Sequence, residues 1–102
     1  MYYTYMLRCE DNSLYTGMTS DLNRRMSEHF NRTKKCAKYT MTHKAKKLEN
    51  AWESANRVLA SKLEFYIKKL SKDDKESLAL NEKKLEIILN GKVDTSQYTR
   101  VI

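Results

Sequence analysis

The stretch that most restricts the fold lies at the start of the chain. Two runs rich in aromatic and apolar residues, Tyr2 to Cys9 and Ser13 to Met18, are joined by the turn-forming Glu10-Asp11-Asn12-Ser13. Strand formers on both sides of Asp, Asn and Ser make this unit a β-hairpin. Tyr3-Thr4-Tyr5 falls in its first strand and Tyr15-Thr16-Gly17 in its second. Alternation along a strand puts Tyr3 and Tyr5 on one face, opposite Tyr2, Thr4 and Met6, and pairing lets Tyr5 and Tyr15 lie close on neighbouring strands. A tyrosine buried by its ring needs a partner for its hydroxyl. Two such clusters in one hairpin, with a basic helix directly after it, therefore point to a site built for phosphate chemistry. The plain alternative is cross-strand packing by ordinary strand formers.

After the hairpin, Thr19 or Ser20 is expected to cap a helix, with Asp21 in its first turn favoured by the helix dipole. Leu22, Met26, His29 and Phe30 share one face of it, and it ends near Arg32. The segment from Thr33 to Lys47 has no glycine, no proline and no clear period. It reads as a long loop carrying Lys34, Lys35, Lys38, Lys44, Lys46 and Lys47. A weak strand is expected over Leu48 to Trp52. Asn56 opens an amphipathic helix striped by Leu59, Leu63, Tyr66, Ile67 and Leu70, and Ser71 breaks it. Asp73 to Leu80 makes a short helix, and Leu85, Ile87, Ile88 and Leu89 a further helical stretch stopped by Asn90-Gly91. Val93 to Ile102 is polar and receives no element. With no repeat and no low-complexity linker, one domain is drawn over residues 1–92, with 93–102 as an extension.

Charge narrows the partner. Among 102 residues, 20 Lys and Arg stand against 13 Asp and Glu, a net charge of +7. Cations that neutralise phosphates release condensed counterions, so nucleic acid is the first candidate partner, and a generally basic surface is the plain alternative. No apolar run approaches a membrane span and none resembles a signal peptide, so no membrane partner is expected. Cys9 and Cys36 have no metal-ligand spacing and read as free thiols, which sets the expected location inside the cell, in the cytoplasm.

Helical phase separates the cations next to the hairpin. With Leu22 at zero and ~100° per residue, Arg25 lies at about −60° and His29 at about −20°, bordering the apolar stripe, while Arg24 points away. Arg25 and His29 thus face the hairpin one turn apart, and Arg24 is left to solvent or to a nucleic-acid backbone. On the second long helix, Glu64 lies just off the stripe centred on Leu63 and can look across at the same surface. Singly, each has a plainer reading: a histidine at the core margin, an arginine with a buried stem, a solvated glutamate. Together, tyrosine, arginine, histidine and carboxylate are the ingredients of metal-assisted phosphodiester hydrolysis.

The ordered set Tyr3-Thr4-Tyr5, Tyr15-Thr16-Gly17, Arg25, His29 and Glu64 resembles the GIY-YIG nuclease superfamily, specifically its small stand-alone bacterial members. The likeness continues through Ala37-Lys38-Tyr39-Thr40 and from Glu64 to Ser71, and it covers Tyr2 to Leu78. The resemblance implies an α+β fold with a three-stranded antiparallel sheet flanked by helices, acting on nucleic acid, DNA first. It also implies one divalent ion, Mg²⁺ or Mn²⁺, held by Glu64. By position, Tyr5 becomes the general base or water-orienting hydroxyl, with Tyr15 its hydrogen-bond partner. Arg25 would stabilise the phosphorane, His29 would support Tyr5 or the phosphate, and Arg24 with the six lysines would grip the backbone. Departures fall at Tyr3, Thr4 and Thr16, at Cys36 where a glycine is usual, and at Ala45 where a proline is usual. A nuclease of DNA repair or processing is the leading reading. A nucleic-acid-binding module without turnover competes with it, and an adaptor for an unknown protein partner is a third.

Overall fold

A strand buried along most of its length needs cover on both faces of its sheet, and the first strand meets that condition. In the computed structural model, which describes residues 1–102, strand β1 (Tyr2–Cys9) is buried without a break from Thr4 to Cys9. It occupies the middle of an antiparallel sheet between β2 (Leu14–Thr19) and β3 (Ala45–Ser54), and a two-residue β4 (Thr99–Arg100) extends the sheet beyond β3. Helix α1 (Leu22–Phe30) and the short α2 (Lys38–Thr42) intervene between β2 and β3. Helices α3 (Arg57–Lys68), α4 (Lys72–Ala79) and α5 (Leu85–Ile88) follow β3. The fold is thus α+β with an antiparallel sheet flanked by helices, with a fourth short strand beyond the three expected. No helix is long and apolar enough to cross a membrane.

Strand alternation sends the two faces to different cores. Tyr5, Leu7, Ala45 and Ala51 form one buried cluster, which Leu22 and Met26 of α1 help to cover. Met6 and Trp52 point the other way and join Leu63, Ile67, Leu78, Leu85 and Leu89 in the larger cluster beneath α3, α4 and α5. Thr4 Oγ1 donates to the Ala60 carbonyl at 2.9 Å, where the small alanine lets α3 approach β1. Arg8 fastens α4 to the sheet, with its guanidinium on both oxygens of Glu76 at 2.7 Å and on Glu49 at 3.0 Å.

Several local signals act where expected. Asn56 caps α3 by accepting from Leu59 N–H, and Ser71 caps α4 by accepting from Asp74 N–H. Such caps are worth about 1 kcal/mol each. The start of α1 differs from expectation. Asp21, placed above in the first turn, is itself the cap and accepts from Arg24 N–H, while Thr19 ends the strand and accepts from Asp21 N–H. The helix stops at Phe30, and Arg32 takes the left-handed conformation at φ 50°, so the chain turns there instead of continuing.

The long loop is corrected most. Within Thr33 to Lys47 lie α2 and the first residues of β3, so Lys38 is helical and Lys46 and Lys47 are in a strand. The register shows why no period was visible. Met6 opposes Asn50 and Leu7 opposes Leu48, leaving Glu49 as an extra residue; Arg8 opposes Lys47 and Cys9 opposes Ala45, leaving Lys46 extra. Each bulge reverses the alternation. The tail is also part of the structure. Val93 and Tyr98 are buried in the larger cluster, Tyr98 Oη donates to the Leu59 carbonyl at 2.7 Å, and Arg100 pairs with Trp52.

Candidate active site

The site is built around the phenol of Tyr5, which central β1 holds almost wholly buried at 1% exposure. Directly opposite on edge strand β2 stands Gly17, and Tyr15 lies diagonally, opposite Leu7. A Cβ on Gly17 would come 2.5 Å from Tyr5 Oη, so the glycine is required here for space. The two tyrosine rings lie 6.3 Å apart.

Helix α1 supplies the partner that Tyr5 uses. His29, with no exposure, places Nε2 2.7 Å from Tyr5 Oη. Tyr5 therefore bonds His29, not Tyr15, whose own offset along the sheet puts ring against ring. The other histidine nitrogen, Nδ1, lies 2.8 Å from Thr40 Oγ1 of α2. Arg25, one turn earlier on α1, pairs with Glu28 at 2.8 Å and donates to the Lys35 carbonyl.

Electrostatics ties these groups together. Burial raises the Tyr5 phenol well above its ordinary 10.0; Arg25 pulls it down in part, and the charges of Tyr15 and Glu64 push it up. Tyr15 is raised by burial and by Glu64, against the opposing pull of Arg25. Burial, then the charge of Arg25, lowers His29 to about 4, so its imidazole is neutral at neutral pH. Glu64 on α3 belongs to the opposite face of the sheet, yet its charge acts on both phenols because β2 is the edge. Its side chain is 22% exposed and its nearest cation, Lys68, stands 3.8 Å away. One accessible carboxylate suits a hard divalent ion that takes its other ligands from water and substrate phosphate.

The lysines divide. Lys34 and Lys35 are exposed beside Arg25, whereas Lys46 and Lys47 join Lys72 along a groove over Arg8. Lys38 is exposed on α2, and Lys44 stands 3.9 Å from Glu10. Arg24 is exposed on the outer side of α1. The six lysines thus do not share the single loop expected of them. Two further residues belong with the site. Thr40 reaches His29, and Tyr39 stacks on Tyr15 with centroids 5.6 Å apart and on His43 at 4.0 Å. The only sequence signal for either was their place in Ala37-Lys38-Tyr39-Thr40.

Comparison with known proteins gives a consistent match. The family model described as the GIY-YIG catalytic domain matches residues 1–77. UPF0213 protein FN1575 of Fusobacterium nucleatum is 47% identical over 77 residues, 76% of this chain and 75% of that protein. UPF0213 protein YhbQ of Salmonella typhimurium is 37% identical over 90 residues, 88% of each. The solution NMR structure of UPF0213 protein BH0048 from Bacillus halodurans superposes with a TM-score of 0.51 at 33% identity, covering 92% of this chain and 98% of that one.

Proposed function

This chain belongs to the GIY-YIG catalytic-domain family, and from that premise we propose that it hydrolyses phosphodiester bonds in nucleic acid, DNA before RNA. The observation that carries the reading is the buried Tyr5–His29 hydrogen bond of 2.7 Å, set where Arg25 and Glu64 act on the same phenol. A nucleophilic water held by Tyr5 Oη passes a proton to that oxygen as the phenolic proton moves to His29 Nε2. No standing phenolate is needed, which agrees with the raised pKa of Tyr5. Water oxygen bonds to phosphorus on one side as the ester oxygen leaves on the other. Arg25 matches the negative charge that grows on the phosphoryl oxygens, an interaction stronger in the transition state than in the bound substrate.

Glu64 would hold one Mg²⁺ or Mn²⁺. When bound, such an ion supplies positive charge to the leaving oxygen. Lys34 and Lys35 lie in the segment whose Lys35 carbonyl accepts from Arg25 and would bind flanking phosphates, each true contact adding ~0.7–0.9 to the salt dependence of log affinity.

The test is cleavage of a panel of labelled single-stranded, duplex and branched DNA and RNA with each ion. Parent protein should cut at least one, and Glu64→Gln should cut none while binding nucleic acid in metal-free buffer as tightly or slightly more tightly. Thermal melting serves as the folding control. Binding without metal-dependent cleavage by the parent would replace this reading with that of a binding module.

A further inference from the structure

Both nitrogens of His29 are engaged inside the protein, Nε2 with Tyr5 Oη at 2.7 Å and Nδ1 with Thr40 Oγ1 at 2.8 Å. A neutral imidazole carries one proton, and its neighbours decide which nitrogen holds it. Thr40 is fully buried, and its hydroxyl also lies 3.1 Å from the Ala37 carbonyl, which can only accept. When Thr40 donates to Ala37, its lone pairs receive Nδ1–H. Bare Nε2 then receives the proton of Tyr5, and every proton in the chain has an acceptor.

The opposite tautomer leaves one proton with no acceptor in the protein. Nε2–H would donate to Tyr5, whose own proton would then need another acceptor. Arg25, whose guanidinium also bonds the phenol, is a donor only and cannot receive that proton. A buried hydroxyl proton without an acceptor is unfavourable.

We infer that Thr40 is a positioning residue: by receiving Nδ1–H it holds His29 in the tautomer whose bare Nε2 takes the proton of Tyr5, so that Tyr5 turns lone pairs, not O–H, toward the attacking water. The proton balance follows. Water gives a proton to Tyr5 Oη, Tyr5 gives its own to His29 Nε2, and the resulting hydroxide forms the bond to phosphorus. The leaving oxygen takes a proton from solvent, and the extra proton of His29 goes back from Nε2 to Tyr5 Oη as Tyr5 releases its newly gained proton to a fresh water. With Nε2 protonated from the start, Tyr5 would have nowhere to pass a proton. This role in turnover rests on the hydrolase reading, whereas the tautomer itself does not.

Nitrogen-15 NMR of the His29 ring separates the two. In parent protein and in Thr40→Ser, Nδ1 should show the shift of a protonated nitrogen and Nε2 that of a bare one. In Thr40→Val, which keeps the shape and removes the acceptor, the proton should move wholly or partly to Nε2. Cleavage should then fall at least tenfold in kcat with little change in KM, and Thr40→Ser should restore it. A bare Nδ1 in the parent overturns the inference, as does an unchanged tautomer in Thr40→Val. Should Thr40→Val not fold, the parent and Thr40→Ser spectra still decide. If no substrate is cut by any form, the hydrolase reading fails while the spectra continue to judge Thr40.

Discussion

The two faces of the sheet are built on different terms. Beneath α3, α4 and α5, ten buried residues make an apolar core that Val93 and Tyr98 of the tail complete. Beneath α1, the buried apolar cluster has only four members, one of them Tyr5, and fully buried His29 and Thr40 take up space that side chains such as leucine would otherwise fill. Burying polar groups is tolerable only when each is hydrogen-bonded, and the chain from Tyr5 through His29 and Thr40 to Ala37 meets that demand. The difference teaches that the larger core supplies most of the stability, leaving the smaller face free to hold chemistry. Edge strand β2, with Gly17 in place of a side chain, is where Glu64 from the apolar side meets the tyrosines from the polar side.

Substitutions on either side should therefore fail in different ways. The largest effect is expected from Leu63→Ala, wholly within the large core. It should lower stability by ~2–5 kcal/mol, measured by denaturant unfolding, while the folded fraction keeps the cleavage rate of the parent. An equal loss of rate per folded molecule would show that the two faces are not separable. Arg25→Ala is the converse, with kcat falling on the order of 10²–10³-fold and a much smaller shift in the unfolding midpoint. If Arg24→Ala slowed turnover as much, the distinction by helical phase would be lost.

Gly17→Ala tests the edge where the faces meet. Its Cβ would stand 2.5 Å from Tyr5 Oη, so the phenol must shift. Overpacking of this kind costs ~1–3 kcal/mol, and displacement from His29 should depress cleavage beyond what the loss of folded protein explains. Parental kinetics in this variant would show that the Tyr5–His29 contact is dispensable.

The last test concerns pH. His29 falls from an ordinary 6.5 to about 4 in the folded protein, so the unfolded chain binds the extra proton between those values and the folded chain does not. The stabilisation is fully present above about 6.5 and is lost as pH falls toward about 4. Unfolding free energy should decline through this window more steeply in the parent than in His29→Asn. Identical slopes would mean that His29 is not held neutral by burial beside Arg25.

Much of the site was legible in the sequence. Tyr5, Tyr15, Arg25 and His29 gather as the strand and helix periods require, and the influence of Glu64 on both phenols fits its place at the edge of the α3 stripe. What strand period and helix phase left open was which group each atom bonds. Tyr5 takes His29 instead of Tyr15, and Thr40 enters from a segment read as loop.

The hairpin, the cap at Asn56, the break at Ser71 and the stripe of α3 were determined by sequence alone, because each is a pattern of residues a few positions apart acting on its own backbone. The length and bulges of β3, the fourth strand, and the partly buried union of Arg8 with Glu76 across 68 residues were decided only by tertiary structure. Strand β3 gains its ladder from β1 despite Lys46, Lys47 and Glu49, and the polar tail docks because Val93 and Tyr98 find apolar cover on a surface made by five other elements. Pairings at such separations leave no local period, since the free energy that selects them comes from partners that meet only once the chain has folded.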